Sequence, residues 1–174
     1  PSAWTMKVER DTAATTVILA AGDTAGLARD ISLVFTFPAA LPCVDAEWRV
    51  VGKEPDPIPE GGWLCFPFAV SQPRFLVGRL GGPIDLAKDQ IVGGNRHLYG
   101  VNTGVALAAP DQSGVGLCAI DAPCLSFGEP GLWKYTFDYF PARPTVFVNL
   151  YNNMWNTNFP DWIEGSWNTR VRFW

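Results

Sequence analysis

Two stretches gather side chains that could do chemistry on a hydroxylated ligand. In the run Gly93-Gly94-Asn95-Arg96-His97-Leu98-Tyr99, two glycines free the backbone, and Asn95, Arg96, His97 and Tyr99 then offer hydrogen-bonding or stacking groups in close succession. Such a loop suits sugar hydroxyls; the competing reading is a loop whose Arg96 is salt-bridged and whose His97 is exposed or satisfied locally. The second stretch, LYNNMWNTNFPDWIEGSW over residues 150–167, concentrates Asn152, Asn153, Asn156 and Asn158 with Trp155, Trp162 and Trp167. Amides grip hydroxyls in pairs, and indole faces suit the C–H faces of pyranose rings. Asparagines also stabilise turns, and a tryptophan cluster also closes the end of a sandwich core. The candidate ligand-binding residues are therefore Asn95, Arg96, His97, Tyr99, Asn152, Asn153, Trp155, Asn156 and Trp162, and no catalytic residue is assigned.

Bond-breaking chemistry has a weaker footing. Glycoside hydrolysis needs two carboxyl groups a few ångströms apart, one protonated and one ionised, and spacing along a β chain cannot establish that pairing. Asp85 and Asp89, four apart, could share a helical face, but loop carboxylates more often serve as caps or turn ligands; with Asp161 and Glu164 they make the outside case for a self-sufficient glycosidase. A serine or cysteine nucleophile would need a histidine partner, and His97 is the single histidine of the chain, with no G-x-S-x-G elbow. There is no P-loop, no G-x-G-x-x-G and no H-E-x-x-H. Whether the chain is an enzyme is left open, with a non-catalytic role expected for the chain alone.

Cofactors are not expected either. Cys43, Cys65, Cys118 and Cys124 lack the paired close spacing of a zinc site and read as buried apolar thiols, with a Cys118–Cys124 bridge left open. A structural calcium ion is compatible with a sandwich module, yet no D-x-[DN]-x-[DN]-G loop is present and no ligands are assigned. A net charge of -4, from 13 basic and 17 acidic side chains spread along the chain, offers no stripe for phosphates, so nucleic acid is not an expected partner. No apolar run approaches a membrane span, and residues 1–10 do not resemble a signal peptide, so no membrane partner is expected and the compartment is left open.

The elements that must position these residues read as strands. Eight Trp, eleven Phe and four Tyr accompany 17 Gly and 15 Pro that punctuate short apolar runs. Strands are expected over residues 15–21, 30–37, 44–51, 63–70, 74–80, 98–108, 115–120, 133–140, 145–152 and 169–174. Alternation is clearest where Ala46, Trp48 and Val50 oppose Glu47 and Arg49, and where Trp133, Tyr135, Phe137 and Tyr139 share a face; both faces are expected to line the core. Asp85 to Ile91 has room for a helical turn or two. The expected fold is all-β, a two-sheet antiparallel β-sandwich of about ten or more strands. At 174 residues it forms one domain, residues 1–174, with an abrupt start that suggests excision from a longer protein.

Four stretches resemble one family in the expected order: Trp63-Leu64-Cys65-Phe66-Pro67-Phe68; Asp89-Gln90 followed by Gly93-Gly94-Asn95-Arg96; Leu98-Tyr99-Gly100-Val101; and Asn152-Asn153-Met154-Trp155-Asn156-Thr157-Asn158-Phe159, followed by the strand Arg170-Val171-Arg172-Phe173. They are similar to the C-terminal β-sandwich region of glycoside hydrolase family 38 and related α-mannosidase-like proteins, over roughly residues 47–174. The resemblance implies a sandwich that packs against an upstream catalytic α/β domain and lends loop residues to a sugar site, with Asn95, Arg96 and Tyr99 at that edge. The family's catalytic aspartate and zinc ligands have no counterpart here, so activity is not carried over. The expectation is a non-catalytic carbohydrate-binding accessory domain of a glycoside-hydrolase-like protein, the alternative a purely structural domain packing against a missing catalytic domain.

Overall fold

The computed structural model describes residues 3–132, 134–154 and 160–174. Among them the chain is all-β. Thirteen strands form, β1 (Trp4–Arg10), β2 (Ala14–Ala21), β3 (Ala28–Pro38), β4 (Val44–Lys53), β5 (Gly61–Pro67), β6 (Arg74–Arg79), β7 (Gly82–Asp85), β8 (Tyr99–Gly100), β9 (Val105–Ala108), β10 (Gly114–Ala119), β11 (Cys124–Phe127), β12 (Thr145–Asn152) and β13 (Gly165–Phe173). They are hydrogen-bonded into two antiparallel sheets. Residue contacts divide the chain into two compact units, Pro1–Glu60 with Asn152–Trp174, and Gly61–Tyr151.

In the first unit the strands run in the order β1–β2–β3–β4–β13. Pairing in register puts Trp4, Met6 and Val8 beside Ala21, Leu19 and Val17, and carries the same face on through Leu33 and Phe35 to Ala46 and Trp48. The opposite face carries Lys7 and Glu9 at one end and Glu47, Arg49, Arg170 and Arg172 at the other, with Ile18 and the buried Val34 between them, as the two-residue period of the strands requires. Its apolar face is covered at β4 and β13, where Ala46, Val50 and Val171 are each 1% exposed. Trp48 there packs against Trp167 with ring centroids 5.8 Å apart. The expected alternation of Ala46, Trp48 and Val50 against Glu47 and Arg49 is what β4 shows. At the end of β4, Lys53 is buried and its ammonium meets the Glu60 carboxylate at 2.5 Å.

The second unit is a two-layer sandwich of β10–β9–β6–β7 over β5–β12–β11–β8. Phe75 and Val77 of β6, Leu107 of β9 and Leu117 of β10 supply one inner face, and Leu125, Phe127, Val146 and Val148 the other; none is more than 1% exposed. Phe75 meets Phe127 edge to face at 5.5 Å, which joins the layers. Each such side chain withdrawn from water contributes roughly 1.5–3 kcal/mol, so the alternating apolar positions determine which face turns inward.

Several elements depart from the sequence reading. Residues 134–140 form no strand, and Tyr135 and Phe137, expected in the core, are 64% and 54% exposed; Trp133 lies outside the described residues. The alternation is genuine, but the segment is held by side-chain bonds to its neighbours rather than by a backbone ladder, and period two alone cannot distinguish the cases. The single strand expected over 98–108 is two strands, β8 and β9, parted by a turn that contains Gly104 at φ 149°. Strands β1, β7 and β11 were not anticipated. Residues 86–89 make one turn, with the Lys88 and Asp89 amides both donating to the Asp85 carbonyl, and no helix. The four cysteines are unpaired thiols; Cys65 is exposed and the other three half-buried, rather than the buried set expected.

Candidate functional site

The second unit builds a polar site on the β6–β7 hairpin. Arg74 begins β6 and Asp85 ends β7, and the Arg74 Nε donates to Asp85 Oδ2 at 2.7 Å. Asp85 is 3% exposed, and its Oδ1 accepts the Ala87 amide at 2.9 Å. Burial works to raise the Asp85 pKa, but the Ala87 amide, the Arg74 guanidinium and the Lys88 ammonium together outweigh it and hold the carboxyl below its ordinary range. The Asp85 amide in turn donates to Asp89 Oδ2 at 2.8 Å, so the chain from 85 to 89 is fixed from both ends. Leu86, wholly buried, anchors it.

That turn delivers Gln90. Its amide nitrogen donates to the Leu86 carbonyl at 2.9 Å and to the Tyr99 hydroxyl at 3.1 Å. Tyr99 is 3% exposed, and its hydroxyl donates onward to the Arg96 carbonyl at 2.8 Å. Burial raises the Tyr99 pKa, against the opposing influence of the Gln90 hydrogen bond and the Arg96 and Arg79 guanidinium groups.

The loop between 93 and 99 is shaped by short-range bonds. Gly93, at φ 80°, takes a backbone conformation that side chains disfavour, and the Gly94 amide then reaches the Ile91 carbonyl at 3.1 Å. Asn95 Oδ1 accepts the His97 amide at 2.9 Å, an Asx turn, while its Nδ2 donates to the Lys134 carbonyl at 3.2 Å. His97 is 4% exposed, with Nε2 2.8 Å from the Thr136 hydroxyl and its ring stacked on Tyr139 at 4.3 Å. Its Nδ1 lies 3.7 Å from Glu129 Oε1, which Lys134 holds at 2.9 Å. Gly131 lies so close to the His97 carbonyl and the Ser126 hydroxyl that no Cβ fits there. Burial lowers the His97 pKa, with Glu129 pulling the other way.

Over these layers opens a cleft of about 390 Å³, lined by Arg79, Ile84, Asp89, Gln90, Ile91, Gly94, Asn95, Leu98 and Tyr99. Four of its side chains keep hydrogen-bonding capacity after their protein contacts are counted. Among the described residues Gln90 Oε1 and Asp89 Oδ1 accept no donor, Asn95 keeps a second amide hydrogen, and Arg79 forms no ion pair. Ile84, Ile91 and Leu98 supply apolar wall. The lining therefore combines donors, acceptors and hydrocarbon, which suits a small polyhydroxylated ligand.

Of the residues singled out in the sequence, Asn95 and Tyr99 line this cleft, with the Tyr99 hydroxyl already engaged on both sides. Arg96 is half-buried beside it and offers its carbonyl to Tyr99. His97 turns away from the cleft into the cluster with Thr136 and Tyr139. Asn152 and Asn153 belong to the other unit. Asn153 is 8% exposed, and its amide is used on backbone: Oδ1 accepts the Glu60 amide at 2.6 Å, and Nδ2 donates toward the carbonyls of Asp161 at 2.8 Å, Asp56 at 3.1 Å and Ile58 at 3.2 Å. Asn152 is half-buried at the end of β12, and Trp162 is 46% exposed. Trp155 and Asn156 lie outside the described residues.

Arg79, Gln90 and Leu98 were not among the candidates. The one local signal for Arg79 was its position at a strand end just before the Gly81-Gly82 turn. The four carboxylates of the outside enzymatic case fall two to a unit: Asp85 is buried and saturated, Asp89 caps the turn, and Asp161 and Glu164 belong to the first unit. Among the described residues no group of three or more His, Cys, Asp or Glu side chains is placed to hold a metal ion. No protein-family model, curated protein or solved structure matches the chain.

Proposed function

We propose that the chain is a non-catalytic, carbohydrate-associated β-sandwich domain of a protein resembling glycoside hydrolase family 38, and that the Arg79–Asn95 cleft is its sugar-contacting site. The observation that carries this reading is the set of unused donors and acceptors lining one cleft: Arg79 at the end of β6, Asp89 and Gln90 on the turn that follows β7, and Asn95 on the loop fixed by its Asx turn. Sugar hydroxyls both donate and accept, so an arginine, a carboxylate and two amides can engage vicinal hydroxyls while Ile84, Ile91 and Leu98 receive a C–H face. The prior fixing of Gln90 and Asn95 reduces the ordering that binding would otherwise cost. For an open cleft of this kind the affinity is expected between tens of micromolar and millimolar, about -4 to -6 kcal/mol.

Calorimetric or NMR titration of the chain with mannosides and a panel of plant and microbial glycans tests the reading. Saturable binding, weakened about tenfold or more by Arg79→Ala and by Asn95→Ala, supports it. Absence of binding to every sugar at millimolar concentration overturns it.

A second reading, a structural domain that packs against a catalytic α/β domain, is favoured by the aromatic surface of residues 135–140, where Tyr135, Phe137 and Phe140 are 64%, 54% and 45% exposed. Co-purification with such a domain, lost on Tyr135→Ser with Phe137→Ser, would favour it over sugar binding.

A further inference from the structure

The first unit ends on a strand with a neighbour on one side alone. Among the described residues β1 pairs with β2 and with nothing else, and all seven of its residues are exposed. The Asp11 amide donates to the Ala14 carbonyl at 3.1 Å, and the Gly22 amide to the Ala3 carbonyl at 2.9 Å. Because hydrogen-bonded pairs alternate along an antiparallel ladder, Thr5, Lys7 and Glu9 turn their main-chain groups to β2. The N–H and C=O groups of Trp4, Met6, Val8 and Arg10 then line the open edge. Such a row is a template for another strand, and β1 has neither the proline nor the bulge that would blunt it.

The side chains say which strand fits. Trp4, Met6 and Val8 lie on the apolar face and are 45%, 69% and 44% exposed. Lys7 and Glu9 lie on the other face, paired at 2.6 Å. Two copies of β1 set antiparallel can bring their outward rows together about Met6, Lys7, Val8 or Glu9. Pairing about Lys7 or Glu9 stacks a charge on its own copy, and pairing about Met6 leaves Lys7 opposite Thr5. Pairing about Val8 sets each Lys7 opposite the Glu9 of the second copy, twice by symmetry, with Val8 opposite Val8 in a hydrogen-bonded position.

We propose that the occupant of this edge is a second copy of the chain, joined antiparallel through β1 about Val8. The apolar face of the sheet, exposed over β1 and half-buried over β2, then runs on into its counterpart. A single added strand pair is a small contact, so the dimer forms at high protein concentration rather than tightly.

Sedimentation of the chain from ~5 to ~500 µM tests this, with a rise toward twice the monomer mass expected within that range. Val8→Pro removes an outward N–H that the β1–β2 ladder does not use, so it is expected to weaken association about tenfold or more with the fold intact. Lys7→Glu and Glu9→Lys each place like charges opposite one another and weaken it; the two together restore complementarity and association. The side chains concerned are 72% and 51% exposed, so these reversals leave folding alone even if the proline variant misfolds. A wild type that stays monomeric throughout, association that survives Val8→Pro in a folded protein, or a double reversal no better than the single ones overturns the proposal. Sugar titration reports on the other unit, so either result stands without the other.

Discussion

Asn153 and Asn95 are asparagines in the two motifs that most suggest sugar recognition, and the fold puts them to different use. Asn153 sits between residues 56–60 and Asp161, with its amide oxygen and nitrogen both engaged by main chain. It ties together a proline-rich connection, residues 54–60, that has no ladder of its own. Asn95 accepts one amide and donates one hydrogen, and it lines the cleft with one amide hydrogen unused among the described residues. The difference teaches that an asparagine is read as a ligand group only after the backbone around it has been satisfied. Where a loop lacks partners, the side chain is consumed as a substitute for secondary structure.

The largest effect that would sharpen this contrast is expected beside Asn153. Glu60→Ala leaves the Lys53 ammonium buried without its carboxylate, and the loss is expected at about 3 kcal/mol, read as a lower denaturation midpoint with unchanged slope. Asn153→Ala comes next. It strands the Glu60 amide and three carbonyls, with an expected loss of about 2–3 kcal/mol by the same measurement and no change in any sugar affinity. A variant of Asn153 that keeps full stability would break the contrast.

The smallest effect belongs to the other side and appears with pH. Burial holds the His97 pKa below the ordinary 6.5, so the unfolded chain takes up the proton first as pH falls. The contribution of His97 to stability is therefore level above about pH 6.5 and declines as pH drops through the interval between that value and its lower folded pKa. Thermal unfolding followed over that interval is expected to show the decline in the wild type and to lose it in His97→Gln. An unaltered profile in the variant would remove His97 from the account of how the Asn95 loop is held.

Legibility in the sequence followed the range of the interaction. Strands β2, β3, β4, β6, β10 and β12 stood out because β-branched and aromatic runs meet turn residues at both ends, both local properties. Tyr135 and Phe137 obeyed the same alternation and were misread. Their segment is attached through the Lys134 carbonyl, Thr136 and Tyr139 to Asn95, His97 and Phe127, partners far away in sequence. The loop at residues 93–99 was recognisable from its glycines and polar run, but the burial of His97 against Thr136 and Tyr139 depends on a segment 39 or more residues further on.

By itself, then, the sequence determined the all-β class, most of the strands and the apolar face of β4, because a two-residue period on a pleated backbone assigns sides without reference to any neighbour. Only the tertiary structure decided which polar groups remain available. Arg79 and Gln90 come to the same cleft as Asn95 because the β6–β7 hairpin and the turn after it fold under Tyr99. Asn153 is withdrawn because residues 56–60 needed its amide. Hydrogen-bonding capacity is a property of what surrounds a side chain, and in an antiparallel fold those surroundings are assembled from distant parts of the chain.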